Sequence, residues 1–205
     1  MKNLRFFLLD LGEKTTPHGS EIWLWGIDDH DRNVLVVDRS FRPYLYTIPK
    51  EGSAPATISD VLHSSETSYA DVVESSVEEK KLFGQIVKAV KITCTSTETL
   101  EAAAKHLSKR GLVQQIIGND IRYSSLYLYD RGLIPCKWHE TEAEALETSH
   151  ALTGNAYLSH GSPHSIALKG NPRLRILAFS TVAFAEKGSP PCVPGPSFCD
   201  LCCHK

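Results

Sequence analysis

The stretch from residue 86 to residue 135, IVKAVKITCTSTETLEAAAKHLSKRGLVQQIIGNDIRYSSLYLYDRGLIP, decides the fold. Ile86 to Cys94 reads as a strand, with Ile86, Val90 and Ile92 apolar. Thr95 and Glu98 stand at capping-box spacing. Leu100, Ala103, Ala104 and Leu107 recur at helical spacing until Gly111 stops the run. Leu112 to Ile117 is another strand, and Ile121 to Arg131 a second helix ended by Gly132 and Pro135. Strand, helix, strand, helix over this length predicts a ferredoxin-like α/β layer. RNA-binding modules use the same layer, so the fold does not choose a function.

Upstream, residues 3 to 48 read as a strand meander. Leu4 to Leu11 is apolar, Gly12 to Gly19 is a turn, and Glu21 to Ile27 alternates. Ile22, Leu24 and Gly26 share one face of that strand; Trp23, Trp25 and Ile27 share the other. Val34 to Val37 and Tyr44 to Ile48 are further strands after polar turns. The expected class is α+β: an antiparallel meander packed with the α/β layer. A short helix is expected at Thr57 to His63 and an ordered block from Ala70 to Gly84.

Downstream, residues 136 to 173 read as a connection returning to the first domain. They hold an acidic patch (Glu140, Glu142, Glu144, Glu147), one or two strands, and loop histidines His139, His150, His160 and His164. Leu174 to Phe179 reads as an apolar strand opening a new unit over 174 to 186, and 187 to 205 as a Pro/Cys-rich, disordered tail. The first domain is thus expected to span 1 to 135.

Of 205 residues, 41% are hydrophobic, enough for a core, and the formal net charge is −2. A slightly acidic chain has no global field to attract DNA, so any nucleic-acid contact must come from a local patch. No apolar run approaches the roughly 18 residues of a membrane span. The Phe6-Phe7-Leu8-Leu9 run is broken by Asp10, which favours a buried strand over a secretory leader. A cytoplasmic location is expected. Cys94 and Cys136 read as small buried hydrophobes rather than as parts of a disulfide framework.

Several segments, in order, resemble archaeal family B DNA polymerases. Asp38-Arg39-Ser40-Phe41-Arg42-Pro43-Tyr44-Leu45-Tyr46 is similar to that family's strand entry, and Glu78 to Gly84 to its charged run before the central strand. Tyr127-Leu128-Tyr129-Asp130-Arg131-Gly132-Leu133-Ile134-Pro135 resembles the helix end that closes the N-terminal domain, and Leu174 to Phe179 the strand that opens the 3′-5′ exonuclease domain. Residues 1 to 185 are covered. Each segment also has a plain structural role, as core aromatics or a helix C-terminus carrying a cation.

The resemblance implies contact with single-stranded template DNA. In archaeal members a pocket in this domain captures a deaminated template base. Its wall maps onto Pro43, Tyr44 and Tyr123; Leu126 stands at the pocket's arginine position and Thr95 at its proline position. Uracil-specific reading is therefore expected to be lost. The family's first exonuclease motif, Asp-x-Glu on a strand, holds two divalent metals; Ser180 and Val182 occupy these positions here. Valine cannot ligate a metal and serine is a poor substitute for a carboxylate. No catalytic residue and no cofactor are expected for the chain itself. Magnesium would belong only to an intact polymerase, of which this chain reads as a split, inactivated or truncated part with a companion chain as a possible partner.

Cys199 and Cys202 have zinc-knuckle spacing, and Cys192, Cys203 or His204 could complete a set, though the break in composition after Glu186 favours an unstructured tail. Two rival readings stand beside the polymerase one. One is a free-standing single-strand-binding module, which would show exposed aromatics such as Trp23 or Trp25 beside basic residues. The other is a zinc-dependent interaction protein built on the tail.

Overall fold

Period-two alternation builds the first sheet. In the computed structural model, which describes residues 1–63, 72–147, 155–168, 170–174 and 176–180, β1 (Lys2–Thr16) pairs antiparallel with β2 (Gly19–Asp28), and β2 with β3 (Asn33–Asp38). The sheet then closes on itself. β3 pairs in parallel with β9 (Ala156–Ser159), β9 antiparallel with β8 (Trp138–Ala145), and β8 antiparallel with β1. A short β10 (His164–Ser165) adds to β8. Leu4, Phe6 and Leu8, with Ile22, Leu24, Val34 and Val36, form the barrel core. The opposite face carries Trp23 and Trp25 against Leu35, Val37 and Ala156. Gly26 is required where β2 crosses β1, because a Cβ there would lie 2.5 Å from the Phe7 carbonyl oxygen.

The second sheet has the order β5-β6-β4-β7. Its strands are β4 (Tyr44–Pro49), β5 (Val72–Leu82), β6 (Gln85–Cys94) and β7 (Val113–Ile117), with α1 (Pro55–His63) and α2 (Thr97–Lys109) interleaved in the chain. Leu45, Val90, Ile92 and Cys94 meet Ile58 and Leu62 of α1 and Leu100, Ala103 and Leu107 of α2. Both α1 and α2 thus pack on the same face of this sheet. The outer strand β5 carries Glu74, Glu78, Glu79, Lys80 and Lys81, charges that discourage edge-to-edge pairing.

The α+β class holds, and several details differ from the sequence reading. Tyr44 to Pro49 leaves the meander and becomes a central strand of the second sheet. The second helix expected in the layer, α3 (Tyr123–Arg131), joins the barrel core through Tyr123 and Tyr127 instead. Gly132 does end it, in the left-handed conformation at φ 62°. The cap of α2 is Ser96, not Thr95; its Oγ accepts from the Thr99 N–H at 3.2 Å. Cys94 is buried as expected, but Cys136 is exposed, at φ 59° on the turn into β8. Leu174, Ile176, Leu177 and Phe179 are exposed and form no strand. A strand exists only within a ladder, and among the described residues none reaches them.

The connection expected over residues 136 to 173, with one or two strands, carries three strands and is built into the first sheet. Residues 138–145 form β8, which lies between β1 on one side and β9 and β10 on the other. Glu142 and Glu144 point to solvent, while His139, Thr141 and Ala143 are buried. His139 is fully buried, not a solvated loop residue. Its Nδ1 faces the Lys137 carbonyl at 2.9 Å, while Nε2 lies 3.1 Å from the Ser165 hydroxyl and 3.4 Å from the Ile134 N–H. That set suits the neutral ring protonated on Nδ1. His160 has a carboxylate partner, Glu144, at 3.1 Å. His164 is exposed in β10, and His150 lies outside the described residues.

Burial depresses the His139 pKa. The unfolded imidazole gains a proton as pH falls through about 6.5, while the folded one resists. The unfolded state then binds more protons, so stability is full above that pH and falls below it. The urea midpoint should drop between pH 7.5 and 5.5, and the drop should shrink in His139→Gln; equal drops in both proteins would contradict this.

Candidate nucleic-acid interface

Pro43, Tyr44 and Tyr123 meet at one place. They line a cavity of about 280 Å³, together with Leu126, Leu100 and Asn119. The segment between β3 and β4 supplies Pro43; β4 begins with Tyr44; α3 begins with Tyr123. Thr95 is not part of this cavity. It lines a separate depression with Thr16, Pro17 and His18, and Thr97 takes the cavity position instead.

The two tyrosines differ in availability. Tyr123 is 3% exposed. Its hydroxyl donates to the Phe41 carbonyl at 2.6 Å, and its ring stacks on Phe41 with centroids 5.4 Å apart. Burial raises its hydroxyl pKa. This ring shapes the wall and has no free face for a base. Tyr44 is half-buried, and its hydroxyl donates to both oxygens of Asp130 at 2.9 and 2.8 Å. Burial, then the Asp130 bond, raises its pKa. Lys91 Nζ lies 4.1 Å from the Tyr44 ring centroid, and Tyr46 meets that ring edge-on at 5.6 Å.

The cavity rim is acidic. Glu13, Glu101 and Asp120 line it with a single cation, Arg122. Glu13 accepts from the Ser124 N–H at 2.7 Å, which places a carboxylate on the first turn of α3. Such a rim repels phosphate, so the cavity suits an uncharged group.

Tyr46, Glu13, Asp130 and Lys91 escaped the sequence reading. Tyr46 was findable, since it stands two residues from Tyr44 on one strand face. Asp130 and Glu13 act on partners 86 and 111 residues away, and nothing local marks them. Trp23 and Trp25 are half-buried on the barrel, not on the α/β sheet, with Lys14 Nζ 4.8 Å from the Trp23 ring.

Among the described residues, Asp28, Asp29 and His30 bring possible metal ligands together. Asp28 is already held by Arg32 at 2.6 and 2.8 Å and by the N–H groups of His30 and Arg32. It is a turn anchor. Ser180 is exposed. Val182, Cys192, Cys199, Cys202, Cys203 and His204 lie outside the described residues.

The chain is 27% identical over 190 residues to DNA polymerase 3 of Saccharolobus solfataricus, covering 90% of this chain and 23% of that protein. It is 22% identical to DNA polymerase 2 of Aeropyrum pernix, over 91% of this chain and 24% of that protein. Its fold superposes on the family B DNA polymerase of the hyperthermophilic archaeon Pyrobaculum calidifontis with a TM-score of 0.64 at 28% identity, covering 83% of this chain and 21% of that one. The homologues of this chain are archaeal family B DNA polymerases. It spans about a quarter or less of the length of these family B relatives. No family model matches. Among the described residues, no helix is long and apolar enough to cross a membrane.

Tyr123→Phe should cost about 1 kcal/mol, the usual worth of one hydrogen bond, in urea unfolding. The single-strand affinity of the folded protein should stay unchanged; a loss of affinity without a loss of stability would show the Tyr123 hydroxyl to be a contact group.

Proposed function

We propose that this chain is a template-contacting domain of family B polymerase type. It holds single-stranded DNA by accepting one unpaired base into the cavity between Pro43, Tyr44 and Tyr123, and it makes or breaks no bonds itself. The observation that carries this reading is the meeting of those residues at one base-accepting cavity, in a fold shared with a family B polymerase. The acidic rim supports a base as occupant, because it disfavours phosphate entry. Leu126 in the wall offers contact but no donor, so uracil and thymine should bind alike.

Two features of the architecture support nucleic-acid contact. The second sheet, with its β-α-β-β-α-β order and split strand pairing, is best described as a ferredoxin-like layer. The first is a closed barrel that pairs β3 with β9 in parallel, an architecture akin to oligonucleotide-binding barrels. The chain's role is then positional, with a companion polymerase chain supplying the chemistry and its metals.

Fluorescence titration of labelled oligothymidine should show weak binding that falls steeply with salt, with a slope of about −0.7 per phosphate neutralised. Replacing thymine with uracil should leave the affinity unchanged. Asn119→Trp, which fills the cavity, should weaken binding several-fold; wild-type affinity in that variant would contradict the reading. Because Ser180 and Val182 replace paired carboxylates, a labelled single strand should survive incubation with the purified chain in magnesium or manganese. Metal-dependent digestion that persists after repurification would show otherwise.

A further inference from the structure

Among the described residues, no helix packs flat on the face of the second sheet away from α1 and α2. Leu45, Val90 and Ile92 point toward the helices, so their strand neighbours Tyr44, Tyr46 and Lys91 point the other way. Tyr46 lies between Lys91 on β6 and Ile117 on β7. The side of α3 walls this face and makes a cleft of about 400 Å³ lined by Tyr44, Tyr46, Ile117, Ile121, Leu126 and Tyr129. Small-ligand pockets run from roughly 300 to 1,000 Å³. Tyr129 is 87% exposed and Ile121 is 49% exposed.

The rings are held in place and covered by cations. The Tyr44 hydroxyl is fixed by Asp130, and the Tyr46 hydroxyl donates to Glu78 at 3.3 Å. Lys91 sits over Tyr44 and Lys80 over Tyr46, at 4.1 and 4.7 Å from the centroids. Lys80 also pairs with Glu78 at 2.8 Å. Both carboxylates lie at the hydroxyl edges of the rings. The ring faces are left to the ammonium groups, the lysines being the charges that a stacked, negatively charged strand could draw away. An apolar, tyrosine-walled cleft with lysines at the ring faces has the chemistry of a stacking platform for unpaired bases.

We propose that this open face is a second base-stacking site for single-stranded DNA, in which bases displace Lys91 and Lys80 from the faces of Tyr44 and Tyr46 and the freed ammonium groups take the flanking phosphates. This rests on the DNA-contacting role proposed above and extends the strand's path from the cavity onto the sheet, with Tyr44 shared between the two. Tyr46 and Tyr129 line the cleft and not the cavity, so they test it separately.

The experiment is an anisotropy titration of labelled oligothymidine with the full chain. Tyr46→Ala and Tyr129→Ala should each weaken binding roughly five-fold or more, the scale of losing one base–aromatic stack. Tyr46→Phe, which keeps the ring, should bind like wild type. Lys91→Gln should flatten the salt dependence. Tyr129 is so exposed that its loss leaves the fold intact, and circular dichroism checks the others. If wild type binds no strand, the DNA reading and this site fall together. If wild type binds and Asn119→Trp weakens it, while Tyr46→Ala and Tyr129→Ala do not, this site alone is overturned. An RNA strand of matching length binding more tightly than DNA would overturn the choice of DNA.

Discussion

The arrangement depends on one buried carboxylate. Asp38, at the end of β3, is fully buried. It accepts from the Ser40 N–H at 2.7 Å, the Ser40 hydroxyl at 2.6 Å and the Tyr127 hydroxyl at 2.8 Å. A buried charge is tolerated only when donors replace its water, so these contacts are obligatory, and they fix two things together. The Ser40 bonds set the turn that leaves the barrel, and the Tyr127 bond draws α3 against it. Phe41 then lodges between Tyr123 and Tyr127, with the Arg131 guanidinium 5.5 Å from its ring. Pro43 and Tyr44 follow directly. Both walls of the cavity therefore hang from the same carboxylate.

A second junction ties the barrel to the α/β layer at the N-terminus of α2. The Ser20 N–H donates to the Thr95 carbonyl at 3.0 Å, and the Ser20 hydroxyl accepts from the Thr97 N–H at 3.1 Å. Gly19, at φ 118°, permits this approach, since a Cβ there would lie 2.6 Å from the Thr95 oxygen. With two such ties the cavity is preset rather than assembled on binding. A preset site spends little of its binding energy on ordering.

How much of this was legible follows from the range of each signal. Local signals were read correctly: the two faces of β2, the apolar stripe of α2, and Gly132 as the stop of α3. Partnership was not legible. The segment after Pro43 looked like one more meander strand because its own alternation cannot say which sheet it joins. The acidic stretch read as part of a connection with one or two strands, and its glutamates could not say which sheet those strands join, although buried His139, Thr141 and Ala143 alternate with the more exposed glutamates. Tyr44 and Tyr123 are the same residue type, and only tertiary packing makes one a half-exposed ring and the other part of the core. The order of the polymerase-like segments survived because order, unlike environment, is written in the chain.

The central claim is that a single strand meets this protein at the junction of barrel and layer, not on the barrel's tryptophan face. Nuclear magnetic resonance titration of the full chain with a short oligothymidine tests it most directly. The account predicts that shift changes concentrate on Tyr44, Tyr46 and the amides of residues 118 to 126, with the Trp23 and Trp25 indole signals unmoved. Indole shifts at Trp23 and Trp25, with Tyr44 and residues 118 to 126 unaffected, would contradict it.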